Sequence, residues 1–218
     1  MMSQQTVGSL IDLVRRKIID EDGDQLTDAE LIQLYNLALF RIVTLVTSAY
    51  TRTKIIQLLA GAKQTLPEGD FSVVNVLRNM GTDGQTPGRV IRATNMDVLE
   101  QIYPEWFTET PQAEVEDWAP VIDYPEQFYV VPPNDGTGYV ELQASTTPPL
   151  TAWDAAGVWE NDTFPLRDNF TEAAINGILY MAYDDDSDIP GNTPRSQLYY
   201  QRFMASLGLQ PADQNAQG

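Results

Sequence analysis

Apolar positions recur at two different periods along this chain, and the change of period divides it. Val7, Leu10, Ile11, Val14 and Ile18 repeat at three- and four-residue spacing, predicting an amphipathic helix of about thirteen residues. Asp20-Glu21-Asp22-Gly23-Asp24 ends it. Thr27 then offers an N-cap, Glu30 stands where its side chain can reach back to the Thr27 amide, and Leu26 and Leu31 take the positions of a hydrophobic staple. The second helix is predicted from residue 28 to about 59, with a stripe of Leu31, Leu34, Tyr35, Ala38, Ile42, Leu45, Val46 and Ala49. Its other side is apolar too, through Leu37, Phe40, Val43 and Thr47, so it is expected to be buried on more than one side, as a central helix, at a subunit interface, or both. Residues 31–51 hold one charge, the central Arg41, which with Gln33 and Asn36 favours a buried helix over a membrane span.

From Gln64 the period shortens. β-rich runs at 71–76, 89–94, 127–131 and 139–144 alternate with Pro- and Gly-rich connections. Phe128-Tyr129-Val130-Val131, then Pro132-Pro133-Asn134-Asp135-Gly136-Thr137-Gly138, then Tyr139-Val140-Glu141-Leu142 predict a β-hairpin with a long loop. Residues 96–103 predict a short helix ended by Pro104. Helical spacing returns with Phe170, Ala173, Ala174, Gly177, Ile178 and Met181, where Gly177 points to close helix–helix approach. Thr193 as cap and Pro194 in the first turn open a last helix with Tyr200, Phe203, Met204 and Leu207 as its stripe, and Gly208 closes it. The expected fold is mainly α with a β-rich insertion (α+β): a four-helix core, two helices before and two after a β-hairpin-containing insertion. Residues 1–63 would supply the first two helices, 64–164 the insertion, 165–208 the last two, and 209–218 a flexible arm, too polar to fold alone.

Charge sharpens this division. The 218 residues carry 13 Lys and Arg against 31 Asp and Glu, a net of −18. Residues 1–63 are neutral, and the deficit falls mainly on 64–164. Such a surface cannot read phosphates by counterion release. With no Cys and no His, disulfides, thiol nucleophiles, the Ser-His-Asp triad and His-ligated metals are excluded. The opening Met1-Met2-Ser3-Gln4-Gln5-Thr6 shows neither the basic region nor the apolar run of a secretory signal.

What chemistry remains is weak. Asp20, Asp22 and Asp24 hint at a calcium loop, but Gly23 falls fourth rather than sixth and Leu31 stands at the twelfth position. Asp184, Asp185, Asp186 and Asp188 read as an acidic interhelical turn before they read as a cation site. Glu100, Glu105, Glu114, Glu116 and Asp117 among Trp106, Trp118, Trp153 and Trp159 could furnish a glycosidase pair, yet so many acids make such coincidences by number. No catalytic residue, cofactor or metal site is expected.

The order of elements resembles the head-to-tail adaptor (connector) proteins of tailed bacteriophages. The resemblance rests on residues 10–16 with 26–36, Asp97-Val98-Leu99 with Tyr103-Pro104-Glu105-Trp106, residues 128–133, and residues 182–186 together with Tyr199-Tyr200-Gln201-Arg202-Phe203. The long loop at 81–88 departs from it. The resemblance implies a structural virion protein, assembled in the host cytoplasm as a ring, usually of twelve copies. That ring joins the portal to a tail tube or nozzle protein and surrounds the channel through which double-stranded DNA leaves without specific binding. It also implies a portal-docking arm, here Leu207, Gly208, Leu209, Gln210 and Pro211 with the C-terminal residues beyond them. Leu37, Phe40, Val43 and Thr47 would pack between neighbouring copies. A tail-completion protein and a tail-associated carbohydrate-active enzyme are the alternatives.

Overall fold

Residues 5–19, 25–185 and 189–210 are described by the computed structural model of the chain. Contacts divide the chain into two compact units, Met1–Ala49 with Pro148–Gly218, and Tyr50–Thr147.

In the first unit, Thr6 accepts the Ser9 amide and opens α1 (Val7–Ile18), which buries Val7, Leu10, Ile11 and Val14. The helix closes on Ile19 in the left-handed region at φ 60°, an uncommon conformation for a β-branched residue. α2 (Asp28–Leu45) starts with the predicted capping box: Thr27 Oγ1 accepts the Glu30 amide at 3.3 Å, and the Thr27 amide donates to Glu30 Oε2 at 2.8 Å. α2 stops well before residue 59. A 3-10 turn at Thr47–Ala49 comes next, and the β-branched run that continues the apolar stripe becomes strand, where branched side chains lose less freedom than against a helical turn. The Asn36 amide group makes two bonds to the Thr151 backbone, at 2.8 and 3.1 Å, tying the returning chain to α2. A 3-10 turn at Asp168–Phe170 leads into α4 (Thr171–Asp185), which buries every residue from Ala173 to Ala182. α1, α2 and α5 (Asn192–Ser206) all pack on α4. A Cβ on Gly177 would meet Ala38 Cβ at 3.2 Å and the Phe203 ring at 3.3 Å, so the close approach read from the sequence is present. α5 begins one residue ahead of Thr193, with Gly191 at φ 95° as its N-cap; Thr193 and Pro194 lie inside the first turn, where a proline costs no hydrogen bond.

The second unit holds two sheets, ordered β1-β7-β3 and β2-β6-β5-β4. The strands are β1 (Thr51–Gln57), β2 (Gly61–Thr65), β3 (Asp70–Asn79), β4 (Arg92–Ala93), β5 (Asp117–Pro120), β6 (Gln127–Asn134) and β7 (Tyr139–Thr146). All pairings are antiparallel except β4 with β5. Both sheets contribute to one apolar core, with Val76, Val140 and Leu142 from one and Trp118, Phe128 and Val130 from the other. On the other side of β5 and β6, Ala119 and Val131 support α3 (Met96–Ile102) and a 3-10 turn at Trp106–Thr108, through Leu99 and Trp106. Trp106 meets the Tyr129 ring edge-on at 5.3 Å.

The structure corrects two further expectations. Strands β6 and β7 form no hairpin: β6 pairs with β2 and β5, β7 with β1 and β3, and the residues between them carry the chain from sheet to sheet. A loop that long imposes no register, and Asn134 organises it instead, its Oδ1 accepting the Gly136 amide at 2.8 Å. The mainly α fold with a four-helix core flanking a β insertion is overturned as well. Among the described residues the chain is α+β, with five α-helices and seven strands in two sheets. The fifth helix, α3, packs on a sheet, and strands β1 to β7 build a unit with a core of its own rather than an excursion from a helical one.

Candidate assembly surfaces

α2 buries its stripe from Leu31 to Ile42 and turns part of its other apolar side outward. Leu37 and Phe40 are 50% and 47% exposed, whereas Val43 is wholly buried within the chain and faces no neighbour; Thr47 has left the helix and lies exposed on the 3-10 turn. The structure therefore brings Leu37 and Phe40 together, one turn apart, and separates Val43 and Thr47 from them. Leu45, 45% exposed at the end of α2, is an outward apolar residue assigned to the inner stripe by periodicity.

The end of α5 is closed by backbone bonds, helped by Ser206 Oγ, which donates to Phe203 O at 2.8 Å. The Gly208 amide donates to Ala205 O at 3.0 Å and the Leu209 amide to Met204 O at 2.9 Å, with Gly208 at φ 72°. This is a Schellman closure, and it requires the left-handed residue that glycine supplies without strain. Leu207, Gly208 and Leu209 are thus held against the helix end and Gln210 is exposed; Pro211 and the rest of the expected arm lie outside the described residues.

The carboxylates singled out by sequence form no common centre. Glu116 and Asp117 are taken by Arg89 and Arg92, the latter a two-point pair at 2.8 and 2.9 Å with Asp117. Glu100 and Glu105 are exposed. Trp106, Trp118 and Trp159 are core residues whose rings are closed off from a sugar. Asp184 Oδ1 lies 3.4 Å from Ser196 Oγ, while residues 186–188 and the acidic stretch 20–24 lie outside the described residues. Among the described residues no group of three or more acidic side chains could hold a metal ion, and no helix is long and apolar enough to cross a membrane.

One arrangement escaped the sequence reading. Tyr183 and Tyr199 stack at 5.7 Å with 7° between their planes, Arg195 lies over the first ring and Arg202 over the second. Its signal was present in the spacing of Arg195, Tyr199 and Arg202 on one stripe of α5.

Outward apolar residues on helices, and carboxylates that form no common centre among the described residues, mark this chain by its candidate assembly surfaces. Residues 5–218 match the family model described as SU10 adaptor protein, and the chain belongs to that family. The resemblance to bacteriophage head-to-tail adaptors is thereby borne out, and the chain is a structural adaptor protein of a phage virion. Membership implies association with portal and tail components. No curated protein matches this chain.

Proposed function

We propose that copies of this chain close into a ring, of the twelvefold kind the resemblance implies, joining the portal to the tail tube or nozzle and surrounding the DNA exit channel. Family membership across residues 5–218 is the observation that carries this reading. Two features support it. Leu37 and Phe40 are large apolar side chains exposed one turn apart, the kind of surface that lateral packing removes from water. A net charge of −18 suits a conduit along which duplex DNA slides, since carboxylates repel phosphates. The segment from Leu207 through Pro211 and beyond serves as the portal-docking arm, starting from the rigid end of α5. Assembly takes place in the host cytoplasm, and no catalytic step is required.

The test is the double substitution Leu37→Asn/Phe40→Asn, with self-association followed by sedimentation velocity. Both side chains are half-exposed, so the fold should survive, with an unchanged far-UV spectrum, while assembly is lost or weakened about tenfold or more. Rings formed as readily as by the unsubstituted chain would remove α2 from the interface.

A further inference from the structure

The second unit neutralises four of its six cations locally. Lys54 is paired with Asp70, Arg78 with Glu141, Arg89 with Glu116 and Arg92 with Asp117. On α5 the pattern is reversed. The helix carries two arginines and no carboxylate, and among the described residues neither Arg195 nor Arg202 has an acidic partner. Each guanidinium lies 5.5 Å from the centroid of a tyrosine ring. Stacking fixes the planar group; Arg195 also hydrogen-bonds the Tyr183 side chain, and with five N–H donors each guanidinium keeps others for a carboxylate. Between the two cations, on the same stripe, Leu198 is 44% exposed. The result is a surface about 10 Å long with a cation at each end and an apolar centre.

The chain also contains the complement. No Lys or Arg occurs between Arg92 and Arg167. Within that interval α3 rests one side on β5 and β6 and turns the other outward. Its outward side carries two flanks: exposed Asp97 and Glu100, one turn apart, on one, and Val98 and Ile102, 40% and 77% exposed and also one turn apart, on the other. Seven residues of helix make α3 about 10 Å long as well.

We propose that the Arg195–Leu198–Tyr199–Arg202 stripe of one copy receives the α3 surface of the next, Asp97, Val98, Glu100 and Ile102. The two arginines take the carboxylates, and Leu198 covers the apolar pair. The contact is heterologous, with a different patch on each side, and such contacts close into rings when the rotation permits. This rests on the ring reading above and specifies a joint within it. A phosphate backbone is the other anion that an arginine–tyrosine stack could take, but a chain of net charge −18 repels it over distances at which a carboxylate patch on a protein surface is tolerated.

The experiment uses the full chain in four forms, followed by sedimentation velocity: unsubstituted, Arg195→Glu/Arg202→Glu, Asp97→Lys/Glu100→Lys, and the two variants mixed. Each variant alone sets like charge against like and should associate at least about tenfold more weakly, whereas the mixture restores both complementary contacts and assembles again with alternating copies. Arg195→Gln/Arg202→Gln removes the attraction without adding repulsion and should fall between, and thermal unfolding confirms that each variant is folded. Variants that assemble like the unsubstituted chain, or a mixture no better than its components, overturn the proposal and leave the ring standing. An unsubstituted chain that stays monomeric at every concentration denies the ring as well. Duplex DNA retained by the unsubstituted chain and released by Arg195→Glu/Arg202→Glu would assign the stripe to phosphate and overturn the joint.

Discussion

Thr27 and Glu30 exchange hydrogen bonds across three residues, and the Glu30 carboxyl is held below its ordinary value of 4.5, chiefly by the Thr27 hydroxyl and then by the Thr27 amide. A carboxyl with a depressed folded value contributes fully above its unfolded value, and that contribution is lost as pH falls through the lowered one. Thr27→Ala should therefore cost about 1 kcal/mol at neutral pH, mainly as a lost cap. Its deficit against the unsubstituted chain should shrink as pH drops below about 4.5, since the part carried by the ionised Glu30 disappears from both. Urea unfolding at pH 7 and pH 3 measures this; a deficit that is the same at both would remove Glu30 from the cap. Asp83 behaves alike at another turn, where the Gln85 and Thr86 amides and the Thr86 hydroxyl bring it down to about 2. The Thr27 cap was legible in sequence because donor and acceptor stand three residues apart. The stacked pair Tyr183 and Tyr199 was not, because its partners meet only when α4 and α5 pack.

At the scale of elements, α1, α4, the start of α2 and the short α3 follow from periodicity and caps, which are local. Two failures share one cause: pairing over distance. Apolar spacing continued past Leu45, so periodicity carried α2 into residues that instead form β1, and only pairing with β7 settles that they are strand. β6 and β7 were read as neighbours because they are consecutive in the chain, yet each found its partners elsewhere. The Gly177 contact was anticipated because a glycine inside a helix costs about 1 kcal/mol and a close approach explains it. With Ala38 and Phe203 already within 3.3 Å of where a Cβ would stand, Gly177→Val should overpack the junction of α2, α4 and α5 and lower stability by about 2–3 kcal/mol. The midpoint of urea unfolding reads this directly, and an unchanged midpoint would mean that the three helices can separate without loss.

For the whole molecule, the acidic balance and the absence of Cys and His narrowed the function, and the family match fixed its class. What could not be read from sequence is which surface meets which partner. Exposure decides that, and it depends on how elements turn: Val43 was placed with Leu37 and Phe40 by spacing, but packing sends it inward. The proposed arm leaves the helical unit at residues 207–209, which are anchored to α5, so its docking to a portal is a matter for direct observation. The central claim is that the chain forms a ring seated on a portal. Electron microscopy of the purified protein mixed with its portal tests it most directly, using the full chain and a form lacking residues 209–218. Closed rings stacked on the portal are expected with the full chain, and markedly fewer, or none, with the shortened form. Portals left bare by the full chain under conditions where it remains folded would contradict the claim.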